Sequence, residues 1–451
     1  MRTLARVSAD LRAGLTTSRA LVEDCLQRIV APQGEGSRVF IRVYADRARA
    51  DADRQDVARR SGVSPSTVAG IPVSVKDLFD VEGDVTAAGS NVLRDQAPAR
   101  CDALIVARLR AAGLVIIGRT NMTEFAYSGL GLNPHYGTPA NPFERDRGRV
   151  PGGSSSGAAV SVTDGMAYGA VGTDTGGSCR IPAAFCGITG FKPTAARVPR
   201  NGTFPLSTSL DSIGPLAPTA DCCATLDAVL AGEVQSPLET LPLDRLRFAV
   251  PQSYVMSDLD AHVSADFARV CTLLAQAGAE IRHIALRELE ELPHINRKGG
   301  LAAAEAYSVH RERLIARSHE YDPRVAKRIL RGGEQDAADY QELERARAGL
   351  IRRVDSQVAE FDAVLMPTTP IIAPTFAELE SDDEYGRVNL LVLRNPSVVN
   401  FLDRCAISIP CHRPGAPPVG LTLMAAHGAD RRLLAIAAAA EARVSPALEE
   451  R

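Results

Sequence analysis

Histidine is nearly absent from the first half of the sequence. The chain has eight, and only His135 precedes residue 262. A serine nucleophile in that half would have few imidazoles to serve as its base. Disulfide and zinc motifs are missing as well. The nine cysteines are odd in number and lack C-x-x-C spacing, which argues against a disulfide framework or a zinc site and for a reducing compartment. No window approaches the roughly 18 apolar residues of a membrane span, so no membrane partner is expected. The opening MRTLARVSADLRAG lacks the apolar stretch of a secretory signal, and a cytoplasmic location is the expectation. Charge of one sign is not in excess. The net charge is −3 and the pI about 6.3, which leaves no electrostatic case for nucleic acid. The arginines of RERLIAR and RRVDS read as solvated helix faces.

What is present is an ordinary globular composition, 45% hydrophobic and 23% charged, in which helix and strand signals alternate. Thr17 or Ser18 can cap a helix whose Leu21, Val22, Cys25, Leu26 and Ile29 share one face. Residues 39–43 read as a short strand, and YADRARADADRQDVARR as a charged helix. Ile71, Val73 and Val75 alternate with small or polar residues, a strand signature. Lys76 follows directly, where a lysine ordinarily lies at the surface or snorkels to water. CDALIVARLRAAGLVIIGRTNMTEF reads as helix, Gly113 stop and strand, and HVSADFARVCTLLAQAGAEIRHI has the same grammar around Gly278. RFAVP, FDAVLMP after a long helix at about 336–360, and two strands around the proline-rich turn of CAISIPCHRPGAPPVGLTLMAA add to the set. The alternation predicts an α/β fold with a mixed, largely parallel central sheet flanked by helices on both faces. No linker divides the chain cleanly. One domain over 1–451 is expected, with a helical segment at about 1–60, a core at about 65–232, and a pocket wall or lid at about 290–400.

The densest chemistry lies at 149–193, RVPGGSSSGAAVSVTDGMAYGAVGTDTGGSCRIPAAFCGITGFKP. Two loops rich in glycine and hydroxyls, 152–157 and 173–178, flank a small apolar segment. Glycine allows a backbone to approach a ligand closely. Phosphate binding is excluded first: there is no G-x-x-x-x-G-K-[ST], and Gly129-Leu130-Gly131 lacks a third glycine in register. The GGSCR around Ser178 is not the G-x-S-x-G elbow. There remain hydroxyl-rich loops, little histidine, and Lys76 as the available base. A lysine titrates near ~10.4 and must be desolvated to be neutral at pH 7. Backbone N–H groups at 175–178 are able to stabilise an oxyanion if they face one. By composition alone, TGGS is more often a tight turn capping a helix.

These residues closely resemble the amidase signature family. The likeness runs through GIPVSVKDLFDVEG, NPFERDRGRVPGGSSSGAA, GTDTGGSCRIPAAFCGITGFKPT and SLDSIGPLA to the C-terminal LMPTTP and AISIPC…PPVGLTLM, nearly the whole chain. The resemblance implies a Ser–Ser–Lys triad: Lys76 as base, Ser154 as a bridging serine after a cis peptide bond, and Ser178 as the acylated nucleophile. It implies oxyanion amides on Thr175, Gly176, Gly177 and Ser178, and substrate contact at Ser128. Ser155 is expected to be a hydrogen-bond partner behind the triad, and Asp174 and Arg180 to order the loop. Cys179, beside the nucleophile, is expected to be a buried spectator. No metal or cofactor is implied.

The expected activity is hydrolysis of a small carboxylic amide to acid plus ammonia or amine. The alternative is the glutaminase component of a tRNA-dependent amidotransferase, which the front half with NMTEFA resembles. YSGLGLNPHYGTPANP and NLLVLRNPSVVNFLDRCAISIPC depart from that type toward free-standing amidases. A non-catalytic binding protein of the same fold is a third reading, opposed by the intact Lys76, Ser154 and Ser178. The side-chain pocket is expected from loops near 125–136 and 203–210 and parts of 295–400. Arg394 and Arg404 are candidates for an acidic group, although such arginines are more often surface charges. The oligomeric state is left open, a homodimer included.

Overall fold

The computed structural model describes residues 1–445. Among the described residues, eleven strands form one sheet. In chain order they are β1 (Phe40–Val43), β2 (Pro72–Lys76), β3 (Val115–Thr120), β4 (Ala170–Asp174), β5 (Thr189–Lys192), β6 (Ser212–Ala217), β7 (Arg247–Pro251), β8 (Glu280–Ile284), β9 (Ala363–Pro367), β10 (Cys405–Pro410) and β11 (Gly420–Ala425). Their order across the sheet is β1-β3-β2-β4-β6-β5-β10-β11-β9-β7-β8. The sheet is mixed. Parallel pairing joins β3 to β2 and β2 to β4 at one end, and β9 to β7 and β7 to β8 at the other. The strands between, and β1 at its edge, pair antiparallel.

Helices cover both faces, and the strand residues sort with a period of two as a doubly buried sheet requires. Ile116, Val171, Phe248, Val250, Leu365, Ile407 and Leu423 belong to one continuous core. Their neighbours Val115, Ile117 and Ala170 enter a second core on the other side. Ala249, Val364, Met366, Ala406 and Met424 enter a third. The second helix, Ser18–Ile29, follows Leu4–Arg12 and is capped by Thr17, whose side chain accepts from Ala20 N at 3.1 Å. The apolar residues of its expected face are all buried. No described helix is long and apolar enough to cross a membrane.

Two helices of the small, apolar segments frame the site: Ser156–Thr163 before β4 and Arg180–Cys186 after it. A third, Asp382–Phe401, has no counterpart among the sequence expectations. Pro396 lies inside it and interrupts the pattern by which a helix is read. The sheet tolerates no extra bulk near this centre. Gly214 of β6 is opposite Gly172 of β4, and a Cβ on Gly214 would lie 2.0 Å from the Phe191 carbonyl oxygen. Gly214→Ala must therefore push β5 from β6. It is expected to cost about 1–3 kcal/mol, as overpacking does, read as a lower urea or thermal midpoint. An unchanged midpoint would contradict this packing.

Candidate active site

β2 ends by carrying Lys76 into the interior. Its residues alternate correctly for a strand, but every one of them is buried, so the lysine has no surface to reach. Lys76 is 0% exposed. Its Nζ lies 2.7 Å from Ser154 Oγ and 3.0 Å from Thr173 Oγ1. Parallel pairing of β2 with β4, Val75 opposite Val171, brings Thr173 into reach. Ser154 comes from the turn that starts helix Ser156–Thr163. The Gly153–Ser154 peptide is cis. The turn is clasped by the 123–131 segment: Gly153 N donates to the Gly129 carbonyl at 2.8 Å, and Thr123 N to the Ser154 carbonyl at 3.1 Å. Burial pushes the Lys76 amine down to about 7, with Cys179, Asp174 and Asp211 pulling the other way. Lys76 makes no ion pair among the described residues. Its partners are hydroxyls.

The loop after β4 is built around Asp174. This buried carboxylate accepts from Gly177 N at 2.8 Å, Cys179 N at 3.1 Å, Arg180 Nε at 3.0 Å and Nη2 at 2.9 Å, and Asn400 Nδ2 at 2.9 Å. Burial alone would raise its pKa, but the Arg180 guanidinium and these bonds hold it down to about 2. Gly177 has φ 125°, and a Cβ there would meet Pro396 and Ile181 at 2.5 and 2.7 Å, so only glycine fits. Ser178 follows, 3% exposed, with Cys179 and Arg180 fully buried beneath it. Cys179 Sγ donates to the Gly214 carbonyl at 3.5 Å, and burial drives its thiol well up.

Lys76 ends β2, Ser178 follows the neighbouring strand β4, and Ser154 lies in the turn before helix Ser156–Thr163. Among the described residues a hydrogen bond joins Lys76 to Ser154, and none joins Ser178 to either. Of the four amides named for an oxyanion, that of Gly177 is turned onto Asp174. Those of Thr175, Gly176 and Ser178 are not drawn to the carboxylate. Ser155 is buried, with Oγ 3.4 Å from the Thr173 carbonyl. Ser128 is anchored to helix Asp382–Phe401: its Oγ donates to Asn389 Oδ1 at 2.9 Å and accepts from the Tyr385 hydroxyl at 2.8 Å.

Several residues at the site were not singled out by the sequence. Thr173 stands inside the GTDTGGS motif, where its strand position on β4 was the available signal. Asp211 stands in SLDSIG. It accepts from Thr175 Oγ1 and from the Leu206 and Ser207 amides, and burial raises it to about 6. Asn400, 226 positions from Asp174, has no local signal. Arg394 and Arg404 are not at the site. Arg394 pairs with Asp258 at 2.9 Å and Arg404 with Asp355, so both charges are already matched. Asp174→Asn is expected to strand the buried Arg180 charge and to cost about 3–5 kcal/mol, measured by chemical denaturation with circular dichroism. A loss below about 1 kcal/mol would show that this pair does not hold the loop.

The protein-family model described as Amidase matches residues 20–434. The chain is 35% identical to 2-amino-5-chloromuconic acid deaminase of Comamonas testosteroni, covering 98% of this chain and 96% of that one. It is 35% identical to the A-type subunit of the glutamyl-tRNA(Gln) amidotransferase of Chromohalobacter salexigens, covering 97% and 95%. A crystal structure described as an amidase superposes with a TM-score of 0.89 at 32% identity, covering 98% of this chain and all of the other.

Proposed function

The chain belongs to the amidase family and is an amidase acting on C–N amide bonds, and we propose that it works through an acyl-Ser178 intermediate. The observation that supports this reading is the 2.7 Å contact between Lys76 and Ser154 in a buried site, with the Lys76 amine brought down to about 7. An amine near that value is neutral in about half of the molecules at pH 7 and is able to accept a proton.

Neutral Lys76 accepts the Ser154 proton as Ser154 takes that of Ser178. Ser178 Oγ then forms a bond to the amide carbon, and the carbonyl π-bond electrons move to oxygen. The oxyanion is received by the amides of Thr175, Gly176 and Ser178, while the Gly177 amide, through Asp174, keeps the loop open. Collapse breaks the C–N bond, and the amine or ammonia departs with the proton returned from Lys76 through Ser154. Water repeats the sequence on the ester and frees the acid. Ser178 and Ser154 are not hydrogen-bonded in this structure, and such bonds tighten when substrate is bound. Ser155, Asp174 and Arg180 hold the loop, and Ser128 orders the segment that clasps Ser154. Residues 290–400 form the wall that selects the acyl group.

The glutaminase reading is favoured by the amidotransferase relatives. Ammonia delivered to a tRNA-bound acceptor only with a co-purifying partner would establish it. Free amide hydrolysis by the isolated chain supports the free-standing amidase.

Ser178→Ala is expected to lower kcat by about 10⁴-fold or more and to abolish labelling by a serine-directed phosphonate. Retained labelling would refute the nucleophile. For pH, the sign follows from Lys76 acting as a base. kcat/KM should fall about tenfold per unit as pH drops below about 7 and level off above it. A flat profile through pH about 6 to 8 would remove Lys76 from the relay.

A further inference from the structure

Two buried carboxylates near the loop after β4, Asp211 and Glu305, hold hydroxyls and amides where Asp174 holds an arginine. A carboxylate taken out of water without an ion-pair partner is costly unless hydrogen bonds replace the water. Here they do, and they join two loops to a helix. One oxygen of Asp211 accepts from the Thr175 hydroxyl, and the other from the amides of Leu206 and Ser207 at 3.0 and 3.1 Å. Glu305 stands on helix Gly300–Arg317. It accepts from the hydroxyls of Ser207, Ser209 and Tyr340, and from the Ser209 amide at 3.0 Å. Ser207 belongs to both sets. Its N–H goes to Asp211 and its hydroxyl to Glu305, so residues 206–211 are strung between the helix and the nucleophile loop.

The far end of this string is one peptide. Asp174 and Ser212 are opposite each other in the ladder of β4 and β6, and Thr175 and Asp211 are the next residues outward. The Asp174 carbonyl accepts from the Ser212 hydroxyl at 3.0 Å and from Asn400 Nδ2 at 2.9 Å. The Asp174–Thr175 peptide is trans, and in a trans peptide the N–H points opposite to the carbonyl. Fixing this carbonyl therefore turns the Thr175 N–H away from both donors. The Thr175 amide itself meets no acceptor among the described residues, although the residue is only 5% exposed. A buried N–H without an acceptor is rare in a finished fold, and an oxyanion supplies the acceptor.

From this geometry we infer that Asp211 is a positioning residue for the reaction: it grips the Thr175 side chain so that the Thr175 amide faces the reacting carbonyl oxygen, and Glu305, through Ser207, anchors that grip to helix Gly300–Arg317. This rests on the acyl-Ser178 reading for the place of the carbonyl oxygen. The division of labour with Asp174 follows from which atom each carboxylate holds. Asp174 accepts from the Gly177 amide and so withdraws it from an oxyanion. Asp211 holds Thr175 by its hydroxyl and leaves the amide open.

The test measures ammonia release from the fastest of a panel of aliphatic, aromatic and dicarboxylic primary amides. Thr175→Val removes the hydroxyl and keeps the amide. Its kcat should fall about 10- to 100-fold, less than the outright loss of an oxyanion donor, with KM within about threefold of the parent. Thr175→Ser should restore most of the rate. Asp211→Ala should match Thr175→Val, and the double variant should be no slower than the slower single, because both break one link. Ser207→Ala keeps the amide to Asp211 and loses the tie to Glu305, so its kcat should fall about three- to tenfold. A merely stabilising role would lower the thermal midpoints of these variants and leave the kcat of the folded protein as it was. Unchanged kcat in folded Thr175→Val, a loss confined to KM, or losses that multiply in the double variant would overturn the inference. If Asp211→Ala does not fold, Thr175→Val and its rescue by Thr175→Ser decide. A second measurement needs no known substrate. The oxygen of a serine-directed phosphonate takes the place of the oxyanion, so the rate of Ser178 labelling should fall in Thr175→Val by a similar factor, and an unchanged rate overturns the inference. Activity persisting in Ser178→Ala would refute the acyl-enzyme reading alone. Any attack on the carbonyl makes an oxyanion, so the kcat of Thr175→Val still judges the grip on Thr175. An inactive Ser178→Ala beside an unaffected Thr175→Val would sink this inference and leave the acyl-enzyme reading standing.

Discussion

The structure depends on a lysine kept away from both water and carboxylates. Lys76 is surrounded by β-sheet on a fully buried strand, and desolvation disfavours its charged form. Besides the Cys179 thiol, which burial keeps protonated, two carboxylates lie near enough to act on it, Asp174 and Asp211. Either could hold it protonated as a salt-bridge partner. Each is committed elsewhere: Asp174 to Arg180 and the loop amides, Asp211 to Thr175 and the 206–207 amides. The ion pair under the nucleophile loop therefore does two things. It shapes the turn that presents Ser178, and it keeps a negative charge from restoring the lysine's own.

A second buried lysine in the same sheet provides the contrast. Lys192 is also fully buried, and burial also lowers its pKa. Its Nζ donates to the carbonyls of Pro193 and Arg404, both at 2.9 Å. A carbonyl can only accept, so these bonds need an N–H and give no route for a proton to arrive. The hydroxyls of Ser154 and Thr173 can donate or accept. The hydrogen bond at Lys76 can reverse when the amine loses its proton, and those at Lys192 cannot. Desolvation is common to both lysines. The kind of partner separates a structural lysine from one fit to act as a base.

The helix Asp382–Phe401 ties the parts together. It sends Asn400 to Asp174, Ser397 to the Gly176 carbonyl, Pro396 against Gly177, and Asn389 with Tyr385 to Ser128. The Pro396 carbonyl also accepts from Arg180. The proline that obscures this helix in the sequence is thus part of the surface that confines the nucleophile loop. Residues at about 290–400 were expected to form a pocket wall or lid; within them, this helix supports the loop after β4.

Short-range patterns were legible because short-range forces make them. The Thr17 cap, the alternation of Ile71, Val73 and Val75, and the glycine stops at Gly113 and Gly278 each reflect hydrogen bonds or sterics within a few residues. The glycine and hydroxyl loops located the centre, and the family resemblance named its members. The ionisation of Lys76 was not legible in the same way. A lysine at a strand end is ordinarily exposed, and what desolvates this one comes from β3, β4 and the 152–156 turn, folded around it from elsewhere in the chain. Nor could sequence tell how Arg394 and Arg404 are engaged. Only the packing shows that each has met a carboxylate, Asp258 and Asp355 respectively. Sequence by itself determined the elements and the chemical groups. Tertiary structure decided their charge states, because an electrostatic environment is set by everything within a few ångströms, whatever its distance along the chain.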